Sequence, residues 1–176
     1  MKQDFQIKKL ALIGPESTGK TTLCASLAAH FKTVWVPEIS RSYIGSLDRK
    51  YTLEDIEYCT KAQLNGEEEL LKKANRFLFC DSEMIIAKVW CEDVFKTVPE
   101  WIEDKVKTNL YDLHLLMLPD IPFEHDNVRE NPHRREFFYN WYKLELEKRN
   151  FPYEVIGGVG EERFRNSIAA ISKHFP

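Results

Sequence analysis

The sequence predicts an α/β fold of three layers, in which helices cover both faces of a five-stranded, mostly parallel sheet. Two observations predict it. Short apolar segments alternate with helical patterns along the 176 residues, and a glycine-rich segment joins the first apolar segment to the first helical pattern. The length suits one domain, and no repeat or linker-like segment interrupts the pattern, so we expect residues 1–176 to form a single domain.

Five segments have the short length and apolar content of buried strands. In chain order they read KKLALIG, TVWVPE, RFLFCD, YDLHLLML and PYEVIGG. Prolines bound two of them, at Pro37 and Pro119, and a glycine pair at 157–158 closes the fifth. Since ligands bind beyond the carboxyl ends of parallel strands, we expect the residues that follow these strands to form the functional site.

The helical patterns lie between these strands. From Gly19 onwards apolar residues recur at helical spacing, and Thr52 with Asp55 forms a capping-box-like pair ahead of a second helix. Asn131 is the predicted N-cap of a third helix, with Pro132 at its first position. The last helix is predicted over residues 161–174.

Composition and charge exclude several classes of protein. The 28 acidic and 25 basic residues nearly balance, which argues against a nucleic-acid-binding or membrane-binding surface. The first ten residues lack a secretory signal and no segment is apolar enough to span a bilayer, so we expect a cytoplasmic protein. The four cysteines lack C-x-x-C spacing and the five histidines are scattered, which predicts buried free thiols rather than a zinc site. The sequence does not indicate an oligomeric state.

The glycine-rich segment GPESTGKT fits G-x-x-x-x-G-K-[ST], the phosphate-binding P-loop, and it lies between a predicted strand and a predicted helix. Glycines let successive backbone N–H groups point inward at phosphate oxygens, and the helix that follows presents its positive end to the same anion. A lysine at this position reaches the β- and γ-phosphates of ATP. The residues expected to hold the triphosphate are Gly14, Pro15, Glu16, Ser17, Thr18, Gly19, Lys20, Thr21 and Thr22.

Acidic residues follow the second and third strands. Asp81 ends the third strand, where a Walker-B acid holds Mg²⁺ through water, and the Thr21 hydroxyl is the second expected Mg²⁺ ligand. Glu38 follows the second strand, with Arg41 three residues later. Either Glu38 or Asp81 is the expected base that deprotonates an attacking hydroxyl, and the alternative for Glu38 is a capping role at the next helix.

A charged loop, PDIPFEHDNVRENPHRR, follows the fourth strand. We expect residues around 120–135 to form a lid over the phosphates, with Arg129, Arg134 and Arg135 neutralising charge and Lys20 and Arg129 taking part in catalysis. The alternative is a solvated charged connection. The loop after the fifth strand, GGVGEER, is the expected region for adenine.

The sequence contains neither the N-K-x-D motif of GTPases nor the LSGGQ motif of transporters, which leaves a small kinase. The segments LALIGPESTGKTTL, VPEISRSYI, FLFCDSEMIIAKVW and DNVR resemble, in this order, the ribosylnicotinamide kinase domain of NadR-type proteins. The resemblance covers nearly the whole chain. Two segments differ from the family: Ser82-Glu83 stands in place of Thr-Asp, and Asp126-Asn127-x-Arg129 in place of Asp-Gly-x-Arg.

The resemblance implies a P-loop kinase fold and transfer of phosphate from ATP, with Mg²⁺, to nicotinamide riboside within NAD biosynthesis. It implies that Arg41 and Glu83 face this nucleoside-like acceptor and that Asp126 belongs to the lid. We expect neither the adenylyl transfer nor the DNA binding of longer family members. The alternatives are a kinase of another nucleoside or small metabolite, and a non-catalytic switch controlled by ATP.

Overall fold

The computed structural model describes residues 6–125 and 131–176. These residues form five strands and seven helices. The strands are β1 (Lys8–Ile13), β2 (Trp35–Val36), β3 (Phe77–Asp81), β4 (Leu113–Met117) and β5 (Tyr153–Ile156). The helices are α1 (Lys20–His30), α2 (Ile39–Gly45), α3 (Leu53–Leu71), α4 (Met84–Phe95), α5 (Glu100–Lys107), α6 (Arg135–Lys148) and α7 (Glu161–His174).

The strands form one sheet in the order β2-β3-β1-β4-β5, and each neighbouring pair is parallel. β1 lies at the centre, where Leu10 pairs with Phe79 of β3 on one side and with Leu113 of β4 on the other. The chain therefore adds strands on one side of β1 before it crosses to the other side. Such a reversal opens a crevice at the carboxyl end of the central strand, and this edge carries the glycine-rich loop.

Helices cover both faces of the sheet, as the sequence predicts. Alternate residues of β1 face opposite layers, because side chains along a strand alternate. Leu10 and Leu12 are fully buried against α1 and α7. Ile13 is fully buried on the other face, in a cluster with residues of α3, α4, α5 and α6. The prediction of a three-layer α/β fold with a five-stranded parallel sheet is confirmed.

The predicted elements differ from the observed ones at particular positions. α7 has the predicted bounds, and α3 begins with the predicted capping box of Thr52 and Asp55. α6 begins at Arg135 rather than after Asn131, because residues 131–134 form a turn in which the Arg134 N–H donates to the Asn131 carbonyl (3.2 Å). β2 contains only two residues.

Two helices that the sequence analysis did not predict, α4 and α5, follow β3. α4 reads MIIAKVWCEDVF and buries six of its twelve residues, from Met84 to Cys91. A helix packed on several sides has no polar face, so its sequence shows no helical period. The four cysteines are buried free thiols, as predicted. Within the described part of the chain, no helix is both long and apolar enough for a membrane span.

Candidate functional site

A cleft of about 1210 Å³ opens at the carboxyl edge of the sheet. The glycine-rich loop forms its floor, and residues from α2, one side of α4, the segment after β4, α6 and the start of α7 form its walls. This position is the one that the parallel-sheet rule predicts. The nine predicted triphosphate-binding residues, 14–22, all line the cleft.

Two glycines shape the loop for different reasons. Gly14 lies so close to β4 that an added Cβ would stand 2.9 Å from the Cβ of Met117, so a larger residue would push the loop off the sheet. Gly19 has φ +77° and is the N-cap of α1, a left-handed conformation that other residues adopt only with strain. Thr18 closes the turn, because its hydroxyl donates to the Pro15 carbonyl (2.9 Å).

The ammonium group of Lys20 bends back over the loop. It donates to the carbonyls of Gly14 (2.9 Å) and Pro15 (3.0 Å). Lys20 is the first residue of α1, so the positive end of the helix and the positive side chain share one position. The arrangement concentrates positive charge where phosphate oxygens approach the loop.

Two arginines donate hydrogen bonds to backbone carbonyls of the loop. Arg163 of α7 is 4% exposed; its guanidinium donates to the Thr18 carbonyl (2.8 Å) and pairs with Asp120. Arg135 of α6 donates to the carbonyls of Ser17 (2.8 Å) and Ile121 (2.8 Å). Burial lowers the pKa of Arg135, and the nearby charge of Arg163 lowers it further. The sequence placed Arg163 only within the loop expected for adenine, and its contact with the P-loop was not predicted because Thr18 and Asp120 lie far away along the chain.

Thr21 and Asp81 form the candidate metal centre. The Thr21 hydroxyl donates to Oδ2 of Asp81 (2.6 Å), and Oδ1 of Asp81 is buried with no hydrogen-bond partner among the described residues. Burial raises the pKa of Asp81, the Glu38 charge raises it further, and the Lys20 charge lowers it. A hydroxyl beside a carboxylate with a spare oxygen suits Mg²⁺, which prefers oxygen ligands and retains several waters.

The protein alone would supply few ligands to such an ion. Residues 6–125 and 131–176 contain no group of three or more His, Cys, Asp and Glu side chains arranged to hold a metal. Mg²⁺ at a P-loop characteristically completes its shell with phosphate oxygens and water. The donor set of Thr21 and Asp81 therefore fits an ion that arrives together with a nucleotide.

Glu38 is the N-cap residue of α2, yet its carboxylate caps none of the described helix N–H groups. Instead, Oε1 of Glu38 accepts a hydrogen bond from the Ser40 hydroxyl (2.7 Å) and the side chain lines the cleft beside Arg41. The alternative that Glu38 serves only as a helix cap is therefore not what the structure shows. Glu38 follows β2 and Asp81 ends β3, and these neighbouring parallel strands end at the same edge of the sheet.

An aromatic wall stands on the side of the cleft away from the loop. The rings of Tyr51 and Trp90 meet edge to face with centroids 5.2 Å apart, and the Trp90 indole N–H donates to the Tyr51 hydroxyl (3.2 Å). Phe138 and Tyr142 of α6 also line the cleft. Beside them Arg134 donates two hydrogen bonds to Asp93, at 2.6 and 2.9 Å. Sequence patterns did not reveal this wall, because its residues lie on three separate segments.

Most of this chain matches a known protein family. Residues 9–163 match the sequence pattern of AAA_28, a family described as an AAA domain. The chain belongs to the AAA_28 family.

The relatives include the trifunctional NAD biosynthesis/regulator protein NadR of Escherichia coli (strain K12). It is 23% identical over 155 residues, which are 85% of this chain and 38% of that protein. The NadR of Salmonella typhimurium is 23% identical over 129 residues, 71% of this chain and 32% of that protein. The predicted resemblance to NadR-type proteins is confirmed, and the chain spans well under half the length of these curated relatives.

Solved structures with the same fold include NadR in complex with NR, with a TM-score of 0.75 and 20% identity over 96% of this chain and 49% of that one. A second is the deoxyadenosine kinase from M. mycoides, with a TM-score of 0.60 and 10% identity over 94% of this chain and 99% of that one. These likenesses confirm the P-loop kinase fold of this AAA_28 member.

The position of Glu83 corrects an expectation. Its side chain lies inside the protein rather than in the cleft: Glu83 is 5% exposed, and Oε1 accepts a hydrogen bond from the Ile86 N–H (3.1 Å) at the start of α4. Oε2 lies 3.9 Å from Nε2 of the buried His114. Ser82, one residue earlier, lines the cleft instead. The expectation that Glu83 faces the acceptor is therefore wrong.

The predicted lid residues fall into two groups. Asp126 and Arg129 lie outside the described residues. The two ends of the predicted lid contact the loop: the Asn131 N–H donates to the Glu16 carboxylate (3.0 Å), and the Glu124 N–H donates to the Ser17 hydroxyl (3.1 Å). Arg134 lines the cleft but pairs with Asp93, and Arg135 is engaged with backbone carbonyls of the loop region.

Proposed function

We propose that the protein is a kinase that transfers the γ-phosphoryl group of ATP to a hydroxyl group of a small nucleoside, with nicotinamide riboside as the favoured acceptor. One observation carries this proposal. Glu38 and Lys20 line one cleft beside the P-loop, and the buried Asp81, at the end of a different strand, lies next to that cleft because it is hydrogen-bonded to the cleft residue Thr21 (2.6 Å). A nucleotide-controlled switch requires only the acid that is linked to Mg²⁺, so the second acid favours an enzyme.

The triphosphate is assigned to the loop. Backbone N–H groups of residues 14–22 and the start of α1 bind its oxygens, while Lys20 moves from the loop carbonyls to the β- and γ-phosphates. Thr21 and Asp81 would hold Mg²⁺, which supplies charge neutralisation for the phosphates when bound. The loop GGVGEER is assigned to adenine, since Val159, Gly160 and Phe164 line the cleft at that end.

Glu38 is the proposed base. Asp81 is buried and hydrogen-bonded to Thr21, so it is assigned to Mg²⁺ binding. Glu38, by contrast, is partly exposed in the cleft, where an acceptor hydroxyl can reach it. In the proposed step the acceptor hydroxyl gives its proton to Glu38 as its oxygen bonds to the γ-phosphorus. The bond between that phosphorus and the β–γ bridging oxygen breaks, and ADP leaves. Arg41, which also lines the cleft, is proposed to contact the acceptor.

The acceptor site has features that suit a positively charged base. Tyr51 and Trp90 provide aromatic surface, and Glu38 provides negative charge in the same cleft. The nicotinamide ring of a riboside carries a positive charge, and aromatic faces attract cations by roughly 0.5–2 kcal/mol. The likeness to NadR, one structure of which is a complex with NR, supports the same acceptor.

Residues 120–135 are proposed as a lid within a single domain of residues 1–176. Arg129, Arg134 and Asp126 remain its predicted functional residues, while Arg135 is assigned to anchoring because its guanidinium is held at the loop. Within this segment Glu124 contacts Ser17 and Asn131 contacts Glu16 of the loop, which supports a lid over a nucleotide bound there.

The likeness in fold to deoxyadenosine kinase supports a second candidate class of acceptor, a neutral nucleoside. The purified protein should be incubated with Mg²⁺ and ATP and with nicotinamide riboside, adenosine, deoxyadenosine or thymidine in parallel, and the products separated by chromatography. We expect the mononucleotide of nicotinamide riboside as the main product and no conversion to the dinucleotide. Brisk phosphorylation of another nucleoside with no nicotinamide mononucleotide would overturn the acceptor assignment, and ATP binding with no phosphorylated product would favour the switch.

A further inference from the structure

Gln63 of α3 connects the two strand ends that carry Glu38 and Asp81. Its side chain is 9% exposed and does not line the cleft. Oε1 of Gln63 accepts a hydrogen bond from the Ile39 N–H (3.1 Å), and Nε2 donates to the Asp81 backbone carbonyl (3.3 Å). One buried amide therefore bridges the first residue of α2 and the last residue of β3.

The bond to Ile39 bears on the freedom of Glu38. The first N–H groups of a helix lack partners within the helix, and the side chain of the N-cap residue ordinarily accepts one of them. Glu38 is the N-cap of α2, but its carboxylate caps no helix N–H, and the first N–H of the helix, that of Ile39, is taken up by Gln63 from outside the helix. The Glu38 carboxylate is thus available to the cleft.

The bond to Asp81 bears on the distance between the two acids. β2, which precedes Glu38, has only two residues, and it pairs with β3 at Trp35 and Val36. So short a strand leaves the segment that carries Glu38 with few backbone contacts to the sheet. The Gln63 amide adds a further link, because it binds the N–H of Ile39, the residue next to Glu38, and the backbone carbonyl of Asp81.

We infer that Gln63 is a positioning residue: by linking the first N–H of α2 to the Asp81 carbonyl, it fixes the Glu38 carboxylate relative to Asp81. This inference rests on the proposed role of Glu38 as the base. A displacement of about 1 Å at a reacting group lowers turnover by up to a hundredfold. Loss of the Gln63 amide should therefore act on kcat rather than on the binding of ATP, which the loop provides.

The test compares Gln63→Met, which fills a similar volume without hydrogen bonds, with the control Thr60→Val. Thr60 lies on the same helix, is 6% exposed, and donates only to the Ile56 carbonyl (2.7 Å) of its own helix. Gln63→Met and Thr60→Val are each introduced into the wild-type protein and into the Glu38→Gln variant. We expect Gln63→Met to lower kcat by about tenfold or more, with KM for ATP changed by less than about twofold. Thr60→Val should leave both parameters near the wild-type values.

The double variant decides whether Gln63 acts through Glu38. In the Glu38→Gln background, Gln63→Met should cause less than about a twofold further loss of kcat, because the group that it positions is already gone. An equal loss in both backgrounds, or a wild-type kcat in Gln63→Met, would overturn the inference.

Amide hydrogen exchange at Ile39 provides a readout that does not depend on catalysis. Exchange at Ile39 should be faster in Gln63→Met than in the wild type and unchanged in Thr60→Val. If the wild type phosphorylates none of the nucleosides, the proposed function fails. Ile39 exchange then decides whether Gln63 holds the start of α2, and unchanged exchange would overturn that part as well.

Discussion

Replacing Glu83 by glutamine tests the finding that this residue belongs to the protein interior. Burial raises the pKa of Glu83 to about 8; the charge of Glu67 on α3 raises it further, and the charge of Arg149 at the end of α6 lowers it. At neutral pH the carboxyl group is therefore largely protonated. A glutamine has the same shape as this neutral form and keeps the oxygen that accepts the Ile86 N–H.

The expected effect on stability follows from proton binding. Between its unfolded pKa near 4.5 and about 8, the folded protein holds one proton on Glu83 that the unfolded chain releases, so stability falls as pH rises. The slope is about 1.4 kcal/mol per pH unit for one such proton. His114 acts in the opposite direction, because burial lowers its pKa from 6.5 to about 4, and its stabilising effect grows as pH rises through that range. The two effects nearly cancel up to pH 6.5, which leaves Glu83 to dominate from there to about 8.

Because Glu83→Gln keeps His114, the His114 effect cancels in the comparison, and from pH 5 to 8 the wild type should lose about 4 kcal/mol relative to Glu83→Gln, at the slope of one released proton. Urea unfolding of both proteins at intervals from pH 5 to 9 measures this difference. The control is Glu69→Gln, an exposed residue paired with Lys72, whose curve should run parallel to that of the wild type. Both variants should keep kcat and the acceptor KM within about twofold of wild type, since neither residue lines the cleft.

Two results would refute this reasoning. Parallel stability curves for Glu83→Gln and the wild type would show that the carboxyl group does not change its proton affinity on folding. A large rise in the acceptor KM of Glu83→Gln at unchanged stability would restore the role in acceptor binding that the sequence suggested.

The remaining predictions concern the cleft. Lys20→Ala should fold normally, as judged by circular dichroism, and lose turnover by about a hundredfold or more, because one charge contact to the transferred phosphoryl group disappears; near-normal turnover would contradict the P-loop assignment. Asp81→Asn should regain part of its turnover at raised Mg²⁺, whereas Glu38→Gln should stay slow at any Mg²⁺ concentration, and equal full activity in both would remove the acids from the mechanism. Since the pKa of Asp81 is raised, the Mg²⁺ concentration needed for half-maximal rate should increase as pH falls below neutrality, and no change would contradict its role as a ligand. Arg163→Met should weaken binding of a fluorescent ATP analogue, while the exposed Arg165→Met should leave it unchanged; similar affinities would show that the loop does not depend on the buried guanidinium.

Much of the fold could be predicted because its signals are local. Each strand is a contiguous apolar run, and the glycine-rich loop is a contiguous pattern, so neither requires knowledge of distant contacts. The two strand-end acids were found by a rule that depends only on parallel strands sharing an edge.

The same rule did not predict where the Glu83 side chain lies, although Glu83 is only two residues beyond Asp81, which the rule identified. Ser82 has φ +85°, which turns the chain sharply after β3. This turn directs Ser82 to the cleft and returns Glu83 to the interior beside His114. A residue with such a backbone angle gives no signal in the sequence, because serine rarely adopts it.

The contacts of the neighbouring Arg134 and Arg135 in the predicted lid also could not be predicted from the sequence. Arg134 pairs with Asp93 on α4, whereas Arg135 turns to the loop, and nothing in the dipeptide distinguishes the two. Their partners come from elements that were not predicted or that lie more than a hundred residues away. Residue type indicated that positive charge is needed near the phosphates, but only packing decides which guanidinium is fixed.

The buried Arg163 and the half-buried Arg135 explain how the loop keeps its shape. In a peptide unit the carbonyl of one residue and the N–H of the next point in opposite directions. Arg135 holds the Ser17 carbonyl and Arg163 holds the Thr18 carbonyl, so the N–H groups of Thr18 and Gly19, on the opposite sides of the same peptides, point away from these guanidinium groups. The guanidinium charges also polarise these peptides, which strengthens the N–H groups as donors. The loop thus does not rely on its glycines alone: α6 and α7 orient the peptides that are proposed to bind phosphate.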